Sequence, residues 1–185
     1  THSGYGDQWA WGTPQSWPGS CASGERCWGT NLSGPYGSSS QQILLSPAID
    51  LSGLPVGTPL AVHWSQAWSI ESALYDSAAM EMSIEGGEWI PLWEHRGATT
   101  ETGWTLLHGD LSAAAGKTVH LRWRLESDVA VEYAGLYVDD VRITGGCQPM
   151  PGGLVVGQVR SEDGQPLPGS IVRGDDGAST EARTT

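Results

Sequence analysis

Apolar and polar residues alternate along three segments of the chain, which predicts strands with one buried side and one side in water. The alternation is clearest in Leu60–Ile70, Ser77–Glu85 and Thr118–Glu126. Because successive strand side chains point to opposite faces, this two-residue period is typical of antiparallel sheets packed as a sandwich. Further strands are predicted at Trp9–Trp11, Gln42–Leu45, Ala48–Leu51, Trp89–His95, Trp104–Leu107 and Gly135–Ile143.

Turn-forming residues are abundant, and no segment shows a sustained helical spacing of apolar positions. The 185 residues include 26 Gly and 11 Pro, which favours many short strands joined by turns. The predicted fold class is therefore all-β. The composition changes at a Gly- and Pro-rich linker, residues 147–153, which divides a domain at 1–146 from a short β unit at 154–185. About 30 residues are too few to close a sandwich.

The formal net charge of −12 makes nucleic acid and anionic membrane surfaces poor partners, because both require a basic footprint. No stretch of about 18 apolar residues predicts a membrane span. The sequence also carries no signal-peptide pattern. We therefore expect a mature piece, or a segment of a longer precursor.

Two of the three cysteines, Cys21 and Cys27, lie six residues apart in a Gly- and Ser-rich segment. A disulfide here would fix a polar loop and contribute about 2 kcal/mol in the chain-entropy model. The alternative is a pair of reduced thiols in a cytosolic protein. Zinc is disfavoured because no second Cys or His pair has ligand spacing. The disulfide predicts an oxidising, extracellular compartment, and it leaves Cys147 without an assigned partner.

Two adjacent aspartates, Asp139 and Asp140, interrupt the last apolar strand. A buried carboxylate is costly unless a cation or hydrogen-bond donors meet it, so the pair predicts a calcium-type metal site. If the strands alternate in direction, Glu71 and Asp76 lie at the same end and are further candidate ligands. Neighbouring strand residues face opposite ways, so a bulge would be needed for both aspartates to reach one ion. The alternative is an aspartate pair that binds loop amides.

The ten tryptophans divide into predicted core and predicted surface positions. Trp64, Trp68 and Trp123 lie on the apolar sides of well-patterned strands and are predicted to be buried. Trp17 is surrounded by turn residues and is the candidate ligand-binding tryptophan, since exposed aromatic side chains suit contact with a sugar or a protein.

Several motifs together resemble a known module. They are Trp9-Ala-Trp-Gly-Thr-Pro14, Cys27-Trp-Gly-Thr-Asn-Leu-Ser-Gly-Pro-Tyr36, Leu45-Ser-Pro-Ala-Ile-Asp-Leu-Ser52, Met82-Ser-Ile-Glu-Gly-Gly-Glu-Trp89, Leu121-Arg-Trp-Arg-Leu-Glu-Ser-Asp128 and Gly135-Leu-Tyr-Val-Asp-Asp-Val141. In this order they resemble the MAM-like jelly-roll module of secreted bacterial peptidases, including the immune inhibitor A and subtilisin-like types. Residues 154–185 look like the opening strands of a carboxypeptidase regulatory-like, transthyretin-type domain.

The resemblance implies an antiparallel jelly-roll β-sandwich followed by a partial transthyretin-like β unit. It implies a structural calcium ion near Asp139 and Asp140 and a non-catalytic accessory role beside the peptidase catalytic domain of the same precursor. The expected ligand is an extracellular protein or a glycan, and the expected location is extracellular or on the cell surface. Such modules begin with a strand carrying a Phe-Glu pair. The present chain starts after that strand, so the site is expected to be incomplete or completed by another chain.

Two other functions remain open from the sequence. Galactose-binding-like jelly rolls share this shape, so a carbohydrate-binding, lectin-like module or an adhesin domain is the first alternative. A hydrolase built from paired carboxylates is the second. The chain contains no His-Glu-x-x-His or Gly-x-Ser-x-Gly motif, and we therefore expect no catalytic activity.

Overall fold

The computed structural model describes residues 1–145, residue 165, and the short strands at 171–173 and 179–181. The chain divides into two units, Thr1–Gln148 and Pro149–Thr185. In the described part the strands are β1 His2–Ser3, β2 Ala10–Gly12, β3 Cys27–Gly29, β4 Gln41–Leu45, β5 Ile49–Asp50, β6 Leu60–Ile70, β7 Ser77–Ile84, β8 Trp89–Glu94, β9 Thr100–Asp110, β10 Thr118–Glu126, β11 Gly135–Gly145, β12 Ile171–Arg173 and β13 Ser179–Glu181. A 3-10 helix at Ser112–Ala114 separates β9 from β10.

Two antiparallel sheets face each other in the first unit. The first sheet has the order β1-β4-β10-β7-β8, with β5 also pairing with β10, and the second sheet has the order β2-β3-β11-β6-β9. Every pairing in both sheets is antiparallel. Most neighbours in a sheet are distant in sequence, such as β1 and β4 or β6 and β11, whereas β2–β3 and β7–β8 are consecutive strands. The predicted all-β jelly-roll sandwich is confirmed.

The core between the sheets is built from the alternating residues that the sequence pattern selected. Trp64 and Trp123 come from opposite sheets and are 0% and 3% exposed. Their rings meet edge to face with centroids 6.5 Å apart. Trp68 is partly buried against the same core. A buried aromatic side chain removes about 150–250 Å² from water, and this contributes about 4–6 kcal/mol.

Strands with a clear two-residue period were predicted best. The bounds of β6 and β10 agree with the predicted Leu60–Ile70 and Thr118–Glu126. Strand β9 is longer than the predicted Trp104–Leu107. The two- and three-residue strands β1 and β3 were not predicted, because so few residues show no period and their pairing depends on partners elsewhere in the chain.

In the second unit, β12 and β13 form an antiparallel pair. The predicted linker at 147–153, Cys147 and the strand predicted from residue 154 lie outside the described residues. The domain bounds and the transthyretin-like resemblance therefore stay predictions. In the part of the chain that is described, no helix has the length and apolar character needed to cross a membrane.

Candidate cation site and its surroundings

Two loops meet at one end of the sandwich and bring carboxylates together. The loop after β6 carries Glu71 and Asp76, and the loop between β10 and β11 begins with Ser127 and Asp128. The backbone N–H of Asp128 donates to Asp76 Oδ1 at 2.8 Å. One carboxylate oxygen from each of Glu71, Asp76 and Asp128 lies within 4.8 Å of the other two. With Glu132, these residues are called the acidic end below.

Asp76 is the most buried member of the acidic end, with 1% of its surface exposed. The Tyr36 hydroxyl donates to Asp76 Oδ2 and accepts the backbone N–H of Glu71 at 3.3 Å. Burial, and next the bond to Asp76, raise the pKa of Tyr36 well above its usual value. Tyr36 therefore stays protonated and holds the two acidic residues at a fixed separation. No local sequence pattern predicts this role for Tyr36.

Glu71 carries a carboxylate oxygen that the protein leaves unsatisfied. Its Oε2 is shielded from solvent and has no hydrogen-bond partner among the described residues, while its backbone oxygen contacts a ring nitrogen of His95 at 2.7 Å. Desolvation, followed by the charges of Asp76, Asp128 and Glu132, raises the pKa of the Glu71 carboxyl group.

None of the ion pairs between described residues involves the acidic end. Within residues 1–145, no Lys or Arg side chain pairs with these carboxylates. Hard oxygen donors with excess negative charge are the ligands that Ca²⁺ prefers, whereas Zn²⁺ favours nitrogen and sulfur. The acidic end is therefore chemically suited to a hard divalent cation.

Asp139 and Asp140 lie at a different place, beside the disulfide loop. The pairing of β11 with β6 shifts between Asp139 and Arg142, and Asp140 has a positive φ of 50°. Asp139 Oδ2 accepts the backbone N–H of Ser23 at 3.1 Å, and Ser23 Oγ donates to Asp140 Oδ1 at 2.6 Å. Adjacent residues of a regular strand point to opposite faces, and the bulge interrupts this alternation. Both carboxylates can therefore face Ser23.

The expectation that this aspartate pair sits beside Glu71 and Asp76 is wrong. Asp139 is paired with Ser65, which precedes Glu71 by six residues. At about 3.3 Å per residue, this corresponds to about 20 Å along the strand. The strand directions were predicted correctly, but the pair lies at a bulge within β11 and not at the start of that strand.

The disulfide between Cys21 and Cys27 is confirmed, with the two Cα atoms 5.6 Å apart. Cys27 belongs to β3, which pairs with β11. The bridge therefore fixes the loop containing Ser23 against the sheet that carries Asp139.

The tryptophans are exposed differently from the prediction. Trp17 is only partly exposed, because its loop folds over the second sheet and its ring packs edge-on against Tyr137, with centroids 5.8 Å apart. Among the ten tryptophans, all within residues 1–145, Trp11 alone is strongly exposed, at 49%. It contacts Trp28, with centroids 5.8 Å apart. Trp11 lies in β2, the edge strand of the second sheet, and strand order cannot be read from the local pattern.

Comparison with known proteins finds a relative in sequence and solved structures of similar shape. No protein-family model matches the chain. Bacillopeptidase F of Bacillus subtilis (strain 168) is 32% identical over 140 residues, which cover 75% of this chain and 9% of that protein. The chain therefore spans less than a tenth of the length of this curated relative.

The structure of TmCBM61 in complex with β-1,4-galactotriose has a TM-score of 0.50 and 14% identity, covering 79% of this chain and 88% of that one. SGBP-B from a complex xyloglucan utilization locus in Bacteroides uniformis has a TM-score of 0.47 and 18% identity, covering 77% and 46%. At 14% identity, the likeness to TmCBM61 concerns the fold alone. The chain is thus similar in sequence to part of a bacterial peptidase and shares its sandwich fold with TmCBM61.

Proposed function

We propose that this chain is a non-catalytic accessory module of an extracellular bacterial peptidase, stabilised by calcium at the acidic end. The observation that carries the proposal is the 32% identity to Bacillopeptidase F over three quarters of the chain. The disulfide supports an oxidising, extracellular location. The MAM-like resemblance of residues 1–146 supports the same role.

The proposed ion binds Glu71, Asp76 and Asp128 and links the loop after β6 to the loop after β10. The unsatisfied Glu71 oxygen and the close carboxylates support this assignment. A bound divalent cation would offset their repulsion, and backbone carbonyls and water would complete a set of six to eight oxygens. The ion acts structurally and does not polarise a substrate. For Asp139 and Asp140 we propose an anchoring role, because their oxygens accept hydrogen bonds from Ser23.

The same two loops carry the proposed contact surface for a substrate or another extracellular partner. Four apolar side chains next to the acidic end face solvent: Leu74 (86% exposed), Tyr75 (59%), Val129 (80%) and Val131 (53%). Large apolar groups that gather on one part of a surface are typical of interaction sites. A calcium ion that orders both loops would fix this surface.

Thermal unfolding with and without calcium tests the ion site. At 100 times the dissociation constant, a ligand specific to the folded state contributes about 2.7 kcal/mol, which corresponds to about 5–10 °C for a protein of this size. We expect this shift in the wild type and its loss in Asp128→Asn. Asp139→Asn is the matched control. It should lower the melting temperature through a lost hydrogen bond but keep the calcium shift.

Two results would count against the ion site. One is a melting temperature that is the same in calcium and in EDTA. The other is an Asp128→Asn variant that responds to calcium as the wild type does. The peptidase assignment has its own test, which is the reading frame on either side of residues 1–185. A peptidase catalytic domain in the same frame is expected, and a frame that encodes none contradicts the assignment.

A carbohydrate-binding module is the second candidate function, and the exposure of Trp11 favours it. The indole face can pack against the C–H groups of a pyranose while the sugar hydroxyls bind polar neighbours. The fold shared with TmCBM61, whose structure contains β-1,4-galactotriose, motivates a glycan array. A sugar signal that Trp11→Ala abolishes and Trp17→Ala retains would support this function. The absence of any signal in the wild type would contradict it.

A further inference from the structure

Two histidines face each other on the outer side of the second sheet, away from the acidic end. His63 of β6 is the direct cross-strand partner of His108 of β9. Their neighbours Val62 and Trp64 point into the core and are 0% exposed, so the imidazoles lie on the solvent face. The ring centroids are 6.1 Å apart and the ring planes differ by 35°.

A hydroxyl group orients one of these imidazoles. His63 Nε2 and Thr144 Oγ1 on the neighbouring strand β11 are 3.0 Å apart. When Nε2–H donates to this hydroxyl, the imidazole lone pair is at Nδ1. Metal-binding histidines usually have their second ring nitrogen held by such a partner, which fixes the tautomer and the ring orientation.

We propose that His63 and His108 together bind a divalent transition-metal ion such as Zn²⁺, with water completing its coordination. A Zn–N distance of about 2.0–2.1 Å for both ligands places the two ring centroids about 5–6 Å apart. The observed 6.1 Å therefore needs only a small side-chain rotation. Imidazole nitrogen suits zinc and copper, whereas the oxygen ligands of the acidic end suit calcium. This site is independent of the proposed accessory function.

Two charged residues nearby affect the binding of a cation in opposite directions. Asp110 follows His108 by two residues on the same face of β9, and its Oδ1 accepts hydrogen bonds from the backbone N–H and the hydroxyl of Ser112 at 2.8 and 2.6 Å. Its negative charge favours a bound cation. Arg142 is paired with His63 from the β11 side and is exposed. Its positive charge opposes the ion. Replacing Arg142 should therefore strengthen metal binding.

Calorimetric titration of the tag-free protein with Zn²⁺ tests the proposal, in buffer with excess Ca²⁺ to occupy carboxylate sites. We expect one Zn²⁺ per chain, at least tenfold weaker binding in His63→Ala and in His108→Ala, and severalfold tighter binding in Arg142→Gln. His120→Ala is the matched control, because His120 lies on β10 of the other sheet. It should bind as the wild type does. Circular dichroism and melting temperatures establish that each variant is folded.

The proposal is overturned if the folded His63→Ala and His108→Ala variants bind Zn²⁺ as tightly as the wild type. It is equally overturned if the wild type shows no binding at millimolar Zn²⁺. Cu²⁺ should bind more tightly than Zn²⁺, as is general for divalent first-row metals, and loss of Cu²⁺ binding in the same two variants would further support imidazole ligation.

Discussion

Folding places the Glu71 carboxylate in surroundings that disfavour its charged form. Its carboxylate loses water contact at Oε2 and gains no hydrogen bond, and three other carboxylates raise its pKa further after desolvation. A folded-state pKa above the unfolded value of about 4.3 means that the folded protein holds this proton more tightly. Its contribution to stability is therefore present at low pH. It is lost as the pH rises from the unfolded pKa through the folded one.

Replacing Glu71 by Gln should stabilise the calcium-free protein at pH 7, because Gln carries no charge to repel Asp76 and Asp128. In EDTA we expect a higher melting temperature than wild type at pH 7, and no difference below about pH 4, where the wild-type carboxyl group is protonated. Thermal unfolding at both pH values measures this. Glu88→Gln, at an exposed position, should have no effect at either pH. A Glu71→Gln variant that melts below the wild type at pH 7 would contradict the explanation.

At the scale of single residues, the sequence pointed to two acidic side chains that the fold brings together, but not to the residue that contacts both. Glu71 and Asp76 were candidate ligands from their position in a loop, and they do lie together. Tyr36, which contacts both, precedes Asp76 by 40 residues. Hydrogen bonds of such long range have no local pattern, so no rule based on spacing could have found it.

At the scale of elements, the entry into β11 depends on Gly135. Its φ is +96°, and a Cβ there would lie 2.1 Å from Thr30 Oγ1. That oxygen accepts the backbone N–H of Leu136 at 3.1 Å, and Thr30 is fully buried. Neither Thr30, just after β3, nor the start of β11 can move away without breaking this hydrogen bond. Gly is therefore required for steric reasons and for its backbone conformation.

Gly135→Ala should lower the free energy of unfolding by about 2–4 kcal/mol, because strain at positive φ adds to a severe clash with buried Thr30. Gly57→Ala is the control. Gly57 has a similar φ of +85°, but a Cβ there meets nothing within 4 Å, so only the backbone cost of about 1 kcal/mol is expected. Urea unfolding measures both. Equal losses in the two variants would show that the clash with Thr30 is absent.

At the scale of elements, the bulge in β11 also decides where the carboxylates of Asp139 and Asp140 point. An uninterrupted strand would separate Asp139 and Asp140 onto opposite faces. The residue inserted between Asp139 and Arg142 instead lets both aspartates contact Ser23. The sequence indicated that a bulge would be needed, and the disulfide loop supplies the hydrogen-bond donors that stabilise it.

At the scale of the whole molecule, the ion pairs of the arginines in the described part of the chain use carboxylates other than those of the acidic end. On the outer face of the first sheet, Arg122 and Arg124 form ion pairs with Glu81 at 2.6 and 3.5 Å. Arg122 also stacks over the Trp89 ring at 4.1 Å. The chain has nine basic and 21 acidic residues, so ion pairs of this kind cannot balance every carboxylate. The excess negative charge attracts cations, and added salt screens this attraction.

By itself, the sequence determined the strands with a two-residue period, the all-β class, much of the core and the disulfide. These features follow from local chemistry: the alternation of side chains and the short distance between two cysteines. Only the tertiary structure decided that Asp139 and Asp140 contact Ser23 rather than Glu71, that Trp11 rather than Trp17 is strongly exposed, and that His63 faces His108. The physical reason is strand order. Residues far apart in sequence become neighbours through the pairing of whole strands, and the local period is the same whichever strands are paired.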